Sequence, residues 1–171
     1  QNKVYRSDIF DETTVSGNRI WKIHVDKSNT TWVLTDRGAC YYDATRDQFE
    51  RIDTGSRPQH IQDKNNTLYV STLNSGIYAI NKETKSFKNY LFDPLDPFSI
   101  SSSKFSHQQT KPTAVDGDNI WIGTMNGLNR INQNTGQAKR LYSNKTSFVK
   151  SDTITAILFV EDVLYVGTSQ G

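Results

Sequence analysis

One short phrase recurs four times along this chain of 171 residues, and it limits the fold more than any other feature. The copies are Thr31-Trp32-Val33-Leu34-Thr35-Asp36-Arg37-Gly38, Leu68-Tyr69-Val70-Ser71-Thr72-Leu73-Asn74-Ser75-Gly76, Ile120-Trp121-Ile122-Gly123-Thr124-Met125-Asn126-Gly127 and Leu164-Tyr165-Val166-Gly167-Thr168-Ser169-Gln170-Gly171. Their aromatic residues stand at 32, 69, 121 and 165, which gives spacings of 37, 52 and 44. The mean period is therefore about 44 residues, the length of one supersecondary unit that must stack on its neighbours to bury both faces.

Each unit reads as four short antiparallel strands. After the glycine come Gly38-Ala-Cys-Tyr-Tyr-Asp43, Gly76-Ile-Tyr-Ala-Ile-Asn81 and Gly127-Leu-Asn-Arg-Ile-Asn132, closed by a turn-forming Asp or Asn. A fourth run follows with apolar residues alternating over polar ones: Gln48–Ile52, Ser86–Tyr90 and Gln137–Leu141. A first run precedes the motif, clearest at Arg19–Val25 and Thr153–Phe159. Composition agrees, because Ala (6), Leu (9) and Glu (4) are scarce while Ser, Thr and Asn fill 48 positions, so helix formers are missing.

The radial solution for four-stranded units of this period is a β-propeller. The expected fold is all-β, a partial arc of about four blades, with residues 1–17 as the last strand of a preceding blade and a linker, Lys3-Val4-Tyr5-Arg6 being that strand. Blades follow at 18–55 and 56–92, a Pro/Ser-rich linker at 93–110, a blade at 111–144 and the first half of a blade at 145–171. The aromatic at the start of strand two is expected to wedge between blades, the glycine to supply positive φ, and Asp26 or Asp63 to cap the turn before the aromatic.

The pattern (Leu/Ile)-(Trp/Tyr)-(Ile/Val)-Gly-Thr-x-x-Gly-(Leu/Ile)-x-x-Ile-Asn, nearly complete in Ile120–Asn132, resembles the two-component regulator propeller repeat. The connector Asp93-Pro94-Leu95-Asp96-Pro97-Phe98-Ser99-Ile100-Ser101 is similar to that family's inter-blade linker, and the resemblance covers nearly the whole chain. It implies the periplasmic sensor region of a Bacteroides-type hybrid two-component histidine kinase, an inner-membrane protein that detects an oligosaccharide and controls polysaccharide-utilisation genes. Kinase, phosphoacceptor and DNA-binding modules would then lie C-terminal to Gly171.

The residues themselves carry little chemistry. Twenty Lys and Arg against 18 Asp and Glu give +2 with no basic block, which argues against nucleic-acid contact. The longest apolar run, Ile154–Val160, falls far short of the roughly 18 residues that cross a bilayer. Cys40 is alone and reads as a buried small hydrophobe. His24, His60 and His107 share no metal-ligand spacing, so no metal or cofactor is expected. The carboxylates fall at turn positions rather than in a converging pair, and catalysis within the chain is not expected.

Recognition remains, and in propellers the ligand face is made by the connections from strand two to three and by the segments leading into strand one. Trp21, Arg37, Asn74, Asn126 and Arg19 form the candidate ligand site, combining an aromatic platform with planar hydrogen-bonding groups suited to an oligosaccharide. Arg19, Arg57 and Lys111 recur where the chain enters successive blades and could line a channel for acidic sugars. Exposed blade faces would favour a homo-oligomer. Two other readings fit an isolated propeller: a protein-interaction scaffold and a glycoside-hydrolase-type propeller.

Overall fold

The structure, a computed structural model, describes residues 2–105 and 112–171. Strands β1 (Ile20–Val25), β2 (Thr31–Thr35), β3 (Gly38–Asp43) and β4 (Gln48–Ile52) pair in that order as antiparallel sheet I. Sheet II repeats the meander with β5 (Pro58–Lys64), β6 (Thr67–Thr72), β7 (Ile77–Asn81) and β8 (Phe87–Tyr90). Sheet III comprises β9 (Thr113–Asp116), β10 (Asn119–Thr124), β11 (Gly127–Asn132) and β12 (Ala138–Leu141). Sheet IV is the hairpin of β13 (Ile154–Val160) and β14 (Val163–Thr168).

The repeated Thr-x-x-Gly step explains the turn between the second and third strands. The Thr35 hydroxyl donates to the Gly38 carbonyl (3.1 Å) and accepts from the Arg37 N–H (3.1 Å). Thr124 makes the same pair of bonds with Gly127 and Asn126 (2.9 and 3.1 Å), and Thr168 with Gly171 and Gln170 (2.7 and 3.3 Å). In sheet II the turn is one residue longer, and Thr72 bonds Gly76 and Ser75 instead. Gly76 has φ +70° and no room for a side chain, since a Cβ there would stand 2.1 Å from the Tyr90 carbonyl oxygen.

Alternation along the strands sends apolar residues to both faces, and the sheets stack in chain order. Trp32, Leu34 and Ile52 of sheet I meet Leu68, Val70 and Ile80 of sheet II. Tyr69 and Ile77 meet Ile120, Ile122 and Ile131 of sheet III, which in turn sets Leu128 against Ile154 and Ile157 of sheet IV. Gly123 is imposed by this last seam, because a Cβ would come within 2.4 Å of Ile154 Cγ2. The first strands β1, β5, β9 and β13 lie side by side through the stack.

The four repeated aromatic residues mark how far each seam is covered. Trp32 and Tyr69 are buried, Trp121 is half-buried with its Nε1 enclosed and unbonded, and Tyr165 is exposed. The outer face of sheet IV accordingly presents Leu158, Val160, Val163 and Tyr165 to solvent, all on the side opposite Phe159 and Leu164.

Two sequence expectations need correcting. Asp26 does cap its turn, accepting from the Ser28 and Thr30 N–H groups (2.8 and 3.0 Å) and from Trp32 Nε1 (2.9 Å). Asp63, by contrast, lies within β5 and joins sheets: it accepts from Lys82 Nζ (2.8 Å) and pairs with His24 Nε2 (2.9 Å) of sheet I. Lys3–Arg6 is not paired as a strand. Its Tyr5 instead packs edge-on against Tyr42 and Phe49 on the outer face of sheet I.

Outermost strands hold the long connections. Arg51 of β4 reaches the carbonyls of Asp8, Asp11 and Thr14, and Arg140 of β12 those of Asp93, Asp96 and Ser99. Val15 and Ile100 are buried, whereas Ile9, Phe10, Leu95 and Phe98 of the same loops are exposed.

Candidate ligand-binding edge

The turns between second and third strands share one edge of the stack with the segments that lead into each first strand. Backbone bonds tie them together: Asp36 N–H donates to Arg19 O (3.1 Å), Leu73 N–H to Arg57 O (2.9 Å) and Ser169 N–H to Thr153 O (3.0 Å). Position in the repeat therefore places Arg19 and Arg57 alike, each one residue before its first strand.

What brings them together is Trp21. The pairing of β1 with β2 runs Ile20↔Thr35 and then Lys22↔Leu34, so Trp21 is the extra residue of a β-bulge. A bulge re-aims the side chain it carries, and the Trp21 indole lies against both guanidiniums, 4.6 Å from Arg19 Cζ and 4.8 Å from Arg57 Cζ to the ring centroid. The indole remains 41% exposed, so the cluster is open to solvent. Equivalent bulges occur at Gln59 in β5 and Thr155 in β13, where the residue is not aromatic.

The other candidates are placed on the same edge but apart. Asn74 is exposed in the β6–β7 turn, next to the residue bonded to Arg57, with its N–H donating to Ser56 Oγ (3.1 Å). Asn126 bonds back through Nδ2 to the Ser101 carbonyl (3.5 Å), a contact to the connector. Arg37 faces a separate cavity of about 380 Å³ lined also by Glu12, Ser16, Arg51 and Asp53. Lys111 and His107 lie outside the described residues. The structure thus joins Arg19 and Trp21 and adds Arg57, which stood outside the candidate set; its equivalence to Arg19 in the repeat is the signal that marks it.

Another cavity, of about 660 Å³, lies elsewhere, over sheet III beside Arg130, Lys139 and Tyr142. Arg130 is the repeat counterpart of Tyr41, each paired across to the motif aromatic. In sheet I that surface is covered by Lys85 of the β7–β8 turn, 4.7 Å from both the Trp32 and Tyr41 rings.

Asp26, Asp43 and Asp63 are committed to local bonds. Thr45 and Arg46 hydrogen bonds hold the Asp43 carboxyl well below its usual range. Burial works against ionisation of Asp26, but bonds from Trp32, Thr30 and Ser28 outweigh it and lower its pKa. For Asp63, too, burial is outweighed, here by Lys82 and His24. Cys40 is fully buried beside Ser16, and burial pushes its thiol pKa up. No group of three His, Cys, Asp or Glu among the described residues could hold a metal ion.

No protein-family profile matches the sequence, and no curated protein sequence matches it. Among solved structures, the extracellular domain assigned to the hybrid two-component system BT3049 of B. thetaiotaomicron is similar at a TM-score of 0.72 and 21% identity, over 98% of this chain and 24% of that one. The corresponding domain of BT4673, from the same organism, is similar at 0.62 and 23% identity, over 94% of this chain and 23% of that one. The computationally designed protein Ika4 is similar at 0.60 and 15% identity, over 100% of this chain and 95% of that one. The chain thus spans about a quarter of the natural domains it matches. Its stack of antiparallel sheets is the fold found in the extracellular domains of Bacteroides hybrid two-component systems.

Proposed function

We propose that this chain is an arc of a β-propeller from the extracytoplasmic sensing region of a hybrid two-component regulator, with blades at 18–55, 56–92 and 111–144 and half a blade at 145–171. It binds an oligosaccharide at the edge carrying Arg19, Trp21, Arg57 and Asn74, performs no catalysis itself, and passes ligand occupancy to a histidine kinase elsewhere in the parent protein. The observation that carries this reading is the likeness to the BT3049 extracellular domain across 98% of the chain. Sheets stacked in chain order with their first strands side by side support the propeller. Binding would act by differential affinity for two arrangements of the parent assembly.

The test is a panel of oligosaccharides titrated calorimetrically, with the full-length protein driving a transcriptional reporter in parallel. A sugar that gives both heat and transcription supports the proposal, and silence from the whole panel in both assays removes it. Self-association through exposed blade faces belongs to the same proposal. Light scattering at increasing concentration is expected to show species above 19.5 kDa, and a persistent monomer excludes it.

A further inference from the structure

The Arg19–Trp21–Arg57 cluster differs from the open aromatic platform expected of Trp21. Sugar rings lay their C–H faces on a bare indole, whereas this indole is engaged by two cations. The cation–π contact steadies the Arg19 guanidinium without supplying the acceptor oxygens that its five N–H donors seek. Two like charges gathered on one ring repel each other, and an anion placed between them relieves that repulsion.

The local carboxylates do not fill this role for Arg19. Asp36, whose N–H is bonded to the Arg19 carbonyl, turns its carboxylate over Gly17, where a Cβ would come within 2.4 Å of Oδ1. No ion pair among the described residues involves Arg19. The Trp21 bulge holds the aromatic base of the cluster on a strand, and Arg19 and Arg57 each stand one residue before a strand.

We propose that Arg19 and Arg57, spread on Trp21, clamp the acidic group of a glycan, a carboxylate or a sulfate on a pyranose ring. This rests on the glycan-sensor reading and narrows it to acidic sugars. Both kinds of anion match the guanidinium fork, and the exposed Asn74 follows Leu73, whose N–H bonds the Arg57 carbonyl.

The test titrates the chain with tri-galacturonic acid, with N-acetylglucosamine 6-sulfate and with neutral maltotriose, alongside Arg19→Gln, Arg19→Lys and Trp21→Ala. Circular dichroism of each variant is recorded first, and these exposed positions are expected to leave it unchanged. At least one acidic probe is expected to bind, to perturb an indole N–H resonance, and to lose about tenfold in affinity in Arg19→Gln and Trp21→Ala. Arg19→Lys, which keeps the charge but not the fork, is expected to recover only part of the loss. Acidic binding that ignores these variants overturns the clamp. Binding of maltotriose but of neither acidic probe overturns the clamp and leaves the sensor reading standing. No binding by any of the three overturns the clamp, while the sensor reading is judged by its own wider panel and reporter.

Discussion

Residues 8–16 and 93–101 share Asp8/Asp93, Asp11/Asp96, Ser16/Ser101 and little else, yet their hydrogen bonds correspond one by one. Asp8 N–H donates to Thr14 Oγ1 at 2.9 Å and Asp93 N–H to Ser99 Oγ at 2.8 Å. Each hydroxyl donates back to the carbonyls of its two aspartates. Arg51 Nε reaches the Thr14 carbonyl at 3.0 Å and Arg140 Nε the Ser99 carbonyl at 2.8 Å. Ser16 meets Thr35 and Ser101 meets Thr124, both at 3.0 Å, which ties each loop to the hydroxyl that closes its sheet's turn. Their settings differ, since Ile100 packs in the seam between sheets II and III while Val15 packs on the outer face of sheet I. A loop that saturates its own carbonyls through one arginine keeps its shape whether or not another sheet covers it. Sheet II offers the contrast: its connection is short, and Asn89 stands where Arg51 and Arg140 stand in the register, with its Oδ1 buried and unbonded.

The largest way to break this comparison is Arg51→Ala or Arg140→Ala, each of which strands several carbonyls. Chemical denaturation is expected to show a loss of about 2–3 kcal/mol for both, and a loss confined to Arg140→Ala would show that the seam, not the clamp, shapes these loops. Acid comes next and separates seam I–II from seam III–IV. Asp26 and Asp63 have folded pKa values below the ordinary 3.8, so the unfolded chain binds protons more readily, and their contribution, complete above that value, is lost as pH falls through the lowered ones. Amide exchange is therefore expected to rise in β1, β2 and β5 before β10 and β13, and simultaneous opening would contradict the assignment. Thr14→Val and Ser99→Ala each remove a hydroxyl at the centre of a loop, with an expected cost of about 1–2 kcal/mol measured by thermal denaturation. Smallest is Asn89→Ala, which deletes an unpaired polar group and is expected to stay within about 0.5 kcal/mol of the parent. A loss matching that of Arg51→Ala would reveal a third clamp.

Strand positions were legible to within a residue or two, because they depend on alternation and on turn residues close in the chain. Gln48–Ile52 is read and found with the same bounds, while Ser86–Tyr90 shortens to Phe87–Tyr90 and Thr153–Phe159 shifts to Ile154–Val160. The first loop was missed even though Asp-x-x-Asp-x-x-(Ser/Thr)-(Val/Ile)-Ser is written in both segments, because its partner arginine lies 37 residues beyond Thr14. The candidate site was half legible: Arg19 and Trp21 follow from their place in the repeat, but the bulge that turns Trp21 toward Arg57 belongs to the pairing of two strands.

The chain's own letters determined the repeat, the four-strand meander and the Thr-x-x-Gly turns, since each rests on hydrogen bonds and side-chain alternation within a few residues. Tertiary structure alone decided that Asp63 bridges His24 and Lys82, that Arg57 shares an indole with Arg19, and that the Trp32 Nε1 finds Asp26 while the enclosed Trp121 Nε1 has no partner. Those outcomes depend on which residue of the next sheet arrives opposite, and that partner is set by stacking between segments far apart in the chain, where local periodicity carries no information.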